Sequence, residues 1–176
     1  EYGEYSEIEL SFILNFIKIG DVVFDIGANI GAFTVPISKK VQKKWSVIAF
    51  EPQVEICKLL TRNIKKNELK NVKIQNFGLG LKKKTVFIDK IDYSKVGNFG
   101  GVSLAGDNKS FIQILKNGEK EKIKVINLNF FLNIKKCDFI KMDIELMELE
   151  ALKGGTKLIK KFRPTMWIEN HCTYPN

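Results

Sequence analysis

The chain has 176 residues, of which 44% are apolar and 28% charged, a balance typical of a folded globular protein rather than a disordered or fibrous one. No apolar run approaches the ~20 residues that a bilayer-spanning helix needs. The length suits one hydrophobic core. These features predict a single domain over residues 1–176 and exclude membrane-spanning and repeat-fibre classes.

The net charge of +9 comes from 29 basic and 20 acidic residues. Arg62 and Arg163 are the only arginines, whereas base readout and bidentate phosphate recognition favour arginine over lysine. The lysines are spread along the chain in short groups, which is typical of solvated faces. We therefore expect neither a nucleic acid nor a membrane as partner.

The cysteines, Cys57, Cys137 and Cys172, are odd in number and lie far apart. This spacing argues against a disulfide framework and against a structural zinc site. The first residues are acidic and are not followed by the apolar run and cleavage site of a signal peptide. A cytoplasmic protein is expected.

Helices and strands are predicted to alternate over the first 77 residues. Ser6-Glu-Ile-Glu9 is a capping-box pattern, and the apolar residues that follow it at helical spacing end before Gly20. Pro36 is compatible with the second helix only in its first turn. The predicted elements are helix 6–17, strand 21–25, helix 32–44, strand 45–51, a helix around residues 56–64, and strand 71–77.

Glycines punctuate residues 78–126, and short β-like pieces at 84–88 and 122–126 predict an inserted β-rich region. Beyond it, the sequence predicts strand 137–143, helix 146–153 and strand 164–169. Alternating strands and helices predict a doubly wound α/β sheet with helices on both faces.

Ligands of such sheets bind at the carboxyl ends of the strands. Asp25, Glu51, Asp143 and Glu169 each end a predicted core strand, so we expect these four acids to lie around one cleft.

The turn Asp25-Ile-Gly27-Ala-Asn29-Ile-Gly31 carries glycines that let the backbone approach a ligand closely. Its spacing does not match the dinucleotide fingerprint Gly-x-Gly-x-x-Gly. An unpaired carboxylate at Asp25 would repel a pyrophosphate but would suit an ammonium or sulfonium group. Glu51, twenty positions after Gly31, is placed to accept hydrogen bonds from two ribose hydroxyls. Together, Asp25, Gly27, Asn29, Gly31 and Glu51 predict a site for S-adenosylmethionine, which has both cationic groups and no phosphate.

The chain resembles the FkbM family of S-adenosylmethionine-dependent methyltransferases. The resemblance rests on Val-Phe-Asp-Ile-Gly-Ala-Asn-Ile-Gly (23–31), Ala-Phe-Glu-Pro (49–52), Ile-Lys-Met-Asp-Ile-Glu-Leu-Met-Glu (140–148) and Arg163-Pro164. It implies a Rossmann-like class I fold and methylation of a hydroxyl on a sugar, glycan or natural product. Leu146 stands where the family usually has glycine. The resemblance also implies seven strands, so we expect the last two to be absent from this chain.

Methyl transfer to a hydroxyl needs a base near the acceptor oxygen. The candidates are Asp143, the leading one, and Glu145, Glu169 and His171. Glu145 and Glu148 could equally be first-turn helix acids. Asp143, Glu145, Glu169 and Asn170 could instead hold Mg²⁺ through oxygen ligands, although no metal is predicted.

Two other functions remain open. A nicotinamide-dependent oxidoreductase would need the dinucleotide fingerprint, which the glycine turn lacks. An inactive S-adenosylmethionine-binding module would keep the glycine turn but would not catalyse methyl transfer. Base methylation is disfavoured because the sequence contains no Asn/Asp-Pro-Pro-aromatic motif and no Pro-Cys pair. The acceptor is not predictable, since substrate loops vary on a shared scaffold.

Overall fold

The computed structural model describes residues 6–44, 46–105 and 113–169. Its strands are β1 (Val23–Ile26), β2 (Val47–Phe50), β3 (Val72–Gln75), β4 (Gly78–Leu79), β5 (Lys84–Ile91), β6 (Leu115–Ile126), β7 (Phe139–Met142) and β8 (Thr165–Ile168). Its helices are α1 (Glu7–Phe16), α2 (Thr34–Val41), α3 (Val54–Lys66), α4 (Glu148–Gly154) and α5 (Thr156–Phe162). A single-turn 3-10 helix spans Leu128–Phe131.

Five strands form a parallel sheet in the order β3-β2-β1-β7-β8. Every residue of β1, β2 and β7 is buried, because helices cover both faces of these central strands. Phe24 and Ile140 point to the face covered by α4 and α5, whereas Val23 and Phe139 pack against α1 and α2. The doubly wound fold expected from the sequence is therefore confirmed.

A second sheet of three strands, in the order β4-β6-β5, lies within residues 78–126. β5 and β6 pair antiparallel, and β4 pairs parallel to the end of β6. The chain between β5 and β6 leaves this sheet, and its described residues 92–105 return to the carboxyl edge of the large sheet. There Gln53 donates a hydrogen bond to the Phe99 carbonyl. The small sheet thus supplies a segment that covers the edge where ligands are expected.

Two local predictions have different outcomes. Pro36 is the third residue of α2, in the first turn, where a missing N–H costs no helical hydrogen bond. The predicted capping box at Ser6 is wrong. Ser6 has a backbone φ of +51°, outside the extended range in which a capping hydroxyl reaches the helix amides, and its side chain makes no capping hydrogen bond. The sequence also missed α5, which follows Gly155 directly.

In the described ranges, none of the helices has the length and apolar character to cross a membrane. Cys57 and Cys137 are buried free thiols, and Cys172 lies outside the described residues.

Candidate functional site

A cavity opens at the carboxyl ends of β1, β2 and β7, between the turn that follows β1 and the segment 92–105, called the returning segment below. Among the predicted cofactor residues, Gly27, Asn29 and Glu51 line it, together with Asp143 and Glu145 from the predicted catalytic set. Apolar side chains complete the wall: Ile26, Ala28, Ile30, Ala32, Phe33, Phe50, Pro52, Ile56, Phe77, Leu79, Val102, Leu104, Ile144 and Met147. Neither Asp25 nor Gly31 lines this cavity.

The turn after β1 packs its backbone tightly on neighbouring strands. The N–H groups of Gly27 and Ala28 both donate to the Phe50 carbonyl, at 3.1 and 2.9 Å. Gly27 has φ +79°, and a Cβ built on it would lie 1.8 Å from the carbonyl oxygen of Asp143. Gly31 has φ +96° and faces Leu60 of α3, so it serves packing rather than the cavity.

Glu51 ends β2 as a buried carboxylate, 5% exposed, whose two oxygens are held by backbone amides. Asn29 N donates to Oε2 at 3.0 Å, and Gln53 N donates to Oε1 at 2.8 Å. Burial raises the pKa of Glu51 to about 7, and these two hydrogen bonds oppose the rise. Each oxygen keeps a further lone pair for a ligand hydroxyl.

Asp25 differs from its expected role. It is the third residue of β1 and points into the face covered by α2, where it is fully buried. Its Oδ2 accepts a hydrogen bond from Thr34 Oγ1 at 2.5 Å, and its Oδ1 lies 3.8 Å from Lys141 Nζ. Burial raises the pKa of Asp25, with Lys141 opposing the rise. The carboxylate is therefore paired, and it can influence a ligand only through its partners.

Lys141 is a cavity residue that sequence reasoning missed. It lies in the middle of the apolar strand β7 and is 2% exposed. Its Nζ donates to the Gly27 carbonyl at 3.1 Å and lies 3.5 Å from Asp143 Oδ2. A lysine inside a nearly continuous apolar strand was the available signal, since an ammonium there needs a buried partner.

The predicted catalytic acids do meet. One carboxylate oxygen from each of Asp143, Glu145 and Glu169 lies within 4.8 Å of the others. Asp143 and Glu145 follow β7, and Glu169 follows the neighbouring strand β8. Asn170 and His171 lie outside the described residues, so their roles stay predictions.

The alternatives left open for Glu145 and Glu148 separate here. Glu148 is the first residue of α4, and its Oε1 accepts a hydrogen bond from Ile144 N at 2.8 Å, which closes the turn after β7. Glu145 lies before the helix with φ +51° and belongs to the carboxylate cluster.

Gln53 was also missed, and it joins the cavity to the returning segment. Its Nε2 donates to the Phe99 carbonyl at 2.9 Å, and its Oε1 accepts from Tyr93 Oη at 2.9 Å. On the opposite side, Ser103 Oγ donates to the Glu145 carbonyl at 2.5 Å. The segment is thus anchored to the ends of both β2 and β7. No local sequence pattern marks these contacts, because the partners lie about 40 residues apart in the chain.

A parallel doubly wound sheet with a glycine turn after β1 and an acid after β2 has the architecture of class I methyltransferases. The model of the methyltransferase FkbM domain matches residues 25–174, and the chain belongs to this family.

Individual relatives are distant. The chain is 22% identical over 144 residues to Methyltransferase 1 of Beauveria bassiana (strain ARSEF 2860), covering 75% of this chain and 57% of the relative. The crystal structure of an FkbM methyltransferase from Methylobacillus flagellatus KT has a TM-score of 0.60 and 20% identity, covering 86% of this chain and 33% of that one. An rRNA methylase from Streptococcus thermophilus has a TM-score of 0.50 and 11% identity, covering 88% and 63%. The two solved structures share the fold, and this chain spans only part of the length of each relative.

The contact at Gly27 can be tested with two matched glycines. Gly27 and Gly20 both have positive φ, but Gly20 has open space around a built Cβ. We expect Gly20→Ala to lower the free energy of unfolding by roughly 1–2 kcal/mol, the cost of a left-handed residue. Gly27→Ala should cost at least about 3 kcal/mol, because the Asp143 backbone must also move. Urea unfolding measures both, and equal losses would contradict the close contact.

Leu146 occupies a left-handed backbone position, φ +73°, and is 56% exposed. We expect Leu146→Gly to stabilise the folded chain by about 0.5–1 kcal/mol. Glycine relieves the strain of the left-handed backbone, and this gain exceeds the cost of the greater conformational entropy that glycine gives the unfolded chain. The same substitution at the exposed Leu149, inside α4, should instead cost about 1 kcal/mol, since glycine weakens a helix. Thermal unfolding of the two variants should therefore shift in opposite directions.

Proposed function

We propose that the chain binds S-adenosylmethionine in this cavity and transfers its methyl group to a hydroxyl of a sugar, glycan or natural product. Membership of the FkbM methyltransferase family supports methyl transfer. The observation that carries the cofactor assignment is Glu51, whose buried carboxylate faces the cavity with one lone pair on each oxygen available for a pair of ribose hydroxyls.

The charges of the cavity favour this cofactor over a nicotinamide dinucleotide. Glu51, Asp143 and Glu145 all line the cavity, and the ammonium of Lys141 is shared between Asp25 and Asp143. A pyrophosphate would face these carboxylates, whereas a sulfonium and an ammonium are attracted by them. When bound, S-adenosylmethionine supplies an electrophilic methyl group.

The cluster of Asp143, Glu145 and Glu169 lies on the β7 and β8 side, away from Glu51 on β2. An acceptor hydroxyl placed there lies beside a carboxylate base. Asp143 would take the proton of that hydroxyl, and bound S-adenosylmethionine would supply the methyl group that the oxygen receives. The same oxygen set also suits Mg²⁺, in which case Asp143 would be a ligand rather than the base.

The acceptor is proposed as a small molecule or glycan, in a cytoplasmic setting, with no nucleic-acid or membrane partner. The scattered lysines and the scarcity of arginine support the exclusion of nucleic acid.

The pKa of Glu51 makes cofactor affinity depend on pH. The pKa is about 7, so the carboxyl is mostly protonated below that pH and mostly ionised above it. The ionised form accepts both ribose hydroxyls, so we expect calorimetric affinity for S-adenosylmethionine to fall about tenfold from pH 8 to pH 6. Glu51→Gln should weaken binding and remove this dependence.

Glu55→Gln provides the control, since Glu55 is an exposed acid of α3 that pairs with Lys58. It should keep the wild-type affinity and pH profile. A flat profile in the wild type would contradict the role of Glu51, and tighter binding of a nicotinamide dinucleotide than of S-adenosylmethionine would favour the oxidoreductase.

Asp143→Asn keeps the shape of the side chain and removes its charge. We expect single-turnover methylation on a panel of glycan and natural-product acceptors to fall about 10²–10⁴-fold at saturating cofactor, because the base is lost. Asp89→Asn, at an exposed residue of β5 that pairs with Lys120 of β6, should leave turnover unchanged.

Two further outcomes separate the alternatives. Loss of turnover on chelation, restored by Mg²⁺, would show that a metal takes part and would favour a ligand role for the acid cluster over a base role for Asp143. Cofactor binding by the wild type without turnover on any acceptor of the panel would support the inactive binding module.

A further inference from the structure

The charge of the protein is divided unevenly between the two ends of the large sheet. All five strands run in the same direction, so the segments that enter them lie at one end and the cavity lies at the other. Backbone hydrogen bonds join these entering segments in the order of the strands. Val23 N, for example, donates to the Ser46 carbonyl, and Thr165 N donates to the Asp138 carbonyl. The entering segments therefore form one continuous surface.

The entering segments, with the ends of the helices that lead into them, are residues 17–22, 39–44, 65–71, 132–138 and 159–164. They carry thirteen basic and three acidic residues, whereas the rest of the chain carries 16 basic and 17 acidic ones. The whole positive surplus of the protein is thus gathered on this surface, which we call the basic end. All thirteen basic side chains are exposed.

Helix dipoles explain only part of the basic end. The carboxyl terminus of a helix favours a cation in its last turn. Six of the thirteen basic residues lie in the last turns of α2, α3 and α5, but the other seven lie outside the helices. Two of the three acids, Asp21 and Asp138, already pair with Lys136. The charge of the basic end is therefore largely available to a partner.

An apolar side chain lies among these lysines on a tight turn. Ile19 and Gly20 form the tip of the turn, and Ile19 is 71% exposed. Asp21 N donates to the Lys18 carbonyl at 3.1 Å, and Lys18 N donates to Asp21 Oδ2 at 2.8 Å, so both sides of the turn are held. Gly20 supplies the positive φ, +86°, that the turn needs. Ile19 is therefore presented to solvent at a fixed position.

Two lysine groups flank this turn. Gly20 N donates to the carbonyl of Val41 at the end of α2, next to Lys40 and Lys43. Lys18 belongs to the turn itself. Among the described residues, Lys18, Lys40 and Lys43 have no ion-pair partner. Ile19 thus has charged neighbours that are free to pair with a partner.

We propose that the basic end is a docking surface for an acidic protein segment, with Ile19 as its apolar anchor. Charge complementarity selects an acidic partner. An apolar side chain surrounded by charged ones matches the apolar centre and polar rim of protein interfaces. Because the anchor is already fixed, binding it costs little ordering. A partner docked here leaves the cavity open at the opposite end, and the proposal does not depend on the cofactor assignment.

Nucleic acids and anionic lipids share the charge of such a partner but match the basic end less well. Twelve of its thirteen basic residues are lysines, whereas bidentate phosphate contacts and base readout favour arginine. A phosphate backbone offers Ile19 no apolar partner, and a bilayer attracts lysines regardless of their arrangement around one side chain. An acidic polypeptide provides carboxylates and apolar side chains together.

Two fluorescent probes test this by anisotropy: a copolymer of glutamate and tyrosine, and poly-L-glutamate of the same length. We expect the wild type to bind the copolymer at least about threefold more tightly, although the copolymer carries fewer charges, because only the copolymer can cover Ile19. Both affinities should fall as salt is added. Ile19→Ser should remove the preference for the copolymer and leave the affinity for poly-L-glutamate unchanged.

The position of the site is tested with two triple variants of equal net charge. Lys18→Glu, Lys40→Glu and Lys43→Glu together should weaken copolymer binding at least about tenfold. Lys82→Glu, Lys122→Glu and Lys124→Glu, at exposed lysines in and beside the small sheet, should stay within about threefold of the wild type. Thermal unfolding checks that each variant folds. Glutamine at residues 18, 40 and 43 provides a second variant, which should show a smaller loss in the same direction.

Equal weakening by the two triple variants would overturn the proposal, because the attraction would then be spread over the whole surface. A preference for the copolymer that survives in Ile19→Ser would overturn the role of the anchor. A short DNA duplex, or vesicles of phosphatidylcholine and phosphatidylserine, could bind more tightly than the copolymer and lose that binding in the first triple variant. That result would overturn the protein partner in favour of a nucleic acid or a membrane.

Discussion

The site depends on the direct contact between the backbone of Gly27 and the end of β7. A Cβ at residue 27 would lie 1.8 Å from the Asp143 carbonyl oxygen, so the turn after β1 can rest on its neighbour only without a side chain. This contact brings the Gly27 carbonyl over Lys141 and places Asp143 beside it. The cavity, the buried Asp25–Lys141 pair and the carboxylate cluster all lie around this close approach of the two strands.

Electrostatics divide the cavity into two ends. Glu51 at the end of β2 is held by two backbone amides, and burial brings its pKa to about 7. Beyond the other end, after β7 and β8, the carboxylates of Asp143, Glu145 and Glu169 converge; Asp143 and Glu145 line the cavity, and Lys141 lies 3.5 Å from Asp143. A nucleoside with a cationic side chain would match this division, since its ribose hydroxyls would donate to Glu51 and its positive charges would be attracted to the carboxylates at the other end.

The returning segment 92–105 borders the cavity but does not belong to the five-stranded sheet. The sheet holds the residues that would bind the cofactor, whereas this segment covers the cavity and is attached through Gln53 on one side and Ser103 on the other. Such loops can change in sequence without disturbing the strands beneath them. Under the proposed function, we therefore expect acceptor preference to depend on such segments more than on the sheet.

The sequence by itself determined the alternation of strands and helices and the turn around Gly27, because buried strands and glycine turns leave local patterns of apolar and small residues. It also placed Asp25, Glu51, Asp143 and Glu169 at strand ends, and the structure brings Asp143 and Glu169 together with Glu145.

Only the tertiary structure decided which charges meet. Asp25 was expected to face the ligand, yet its position in β1 points it into the sheet face covered by α2, where Lys141 reaches it from the neighbouring strand. Gln53 meets Tyr93 and Phe99 only because an inserted sheet returns its connecting segment to β2. Such pairings depend on strand register and on the face each side chain occupies, and a one-dimensional pattern does not contain the distances between strands.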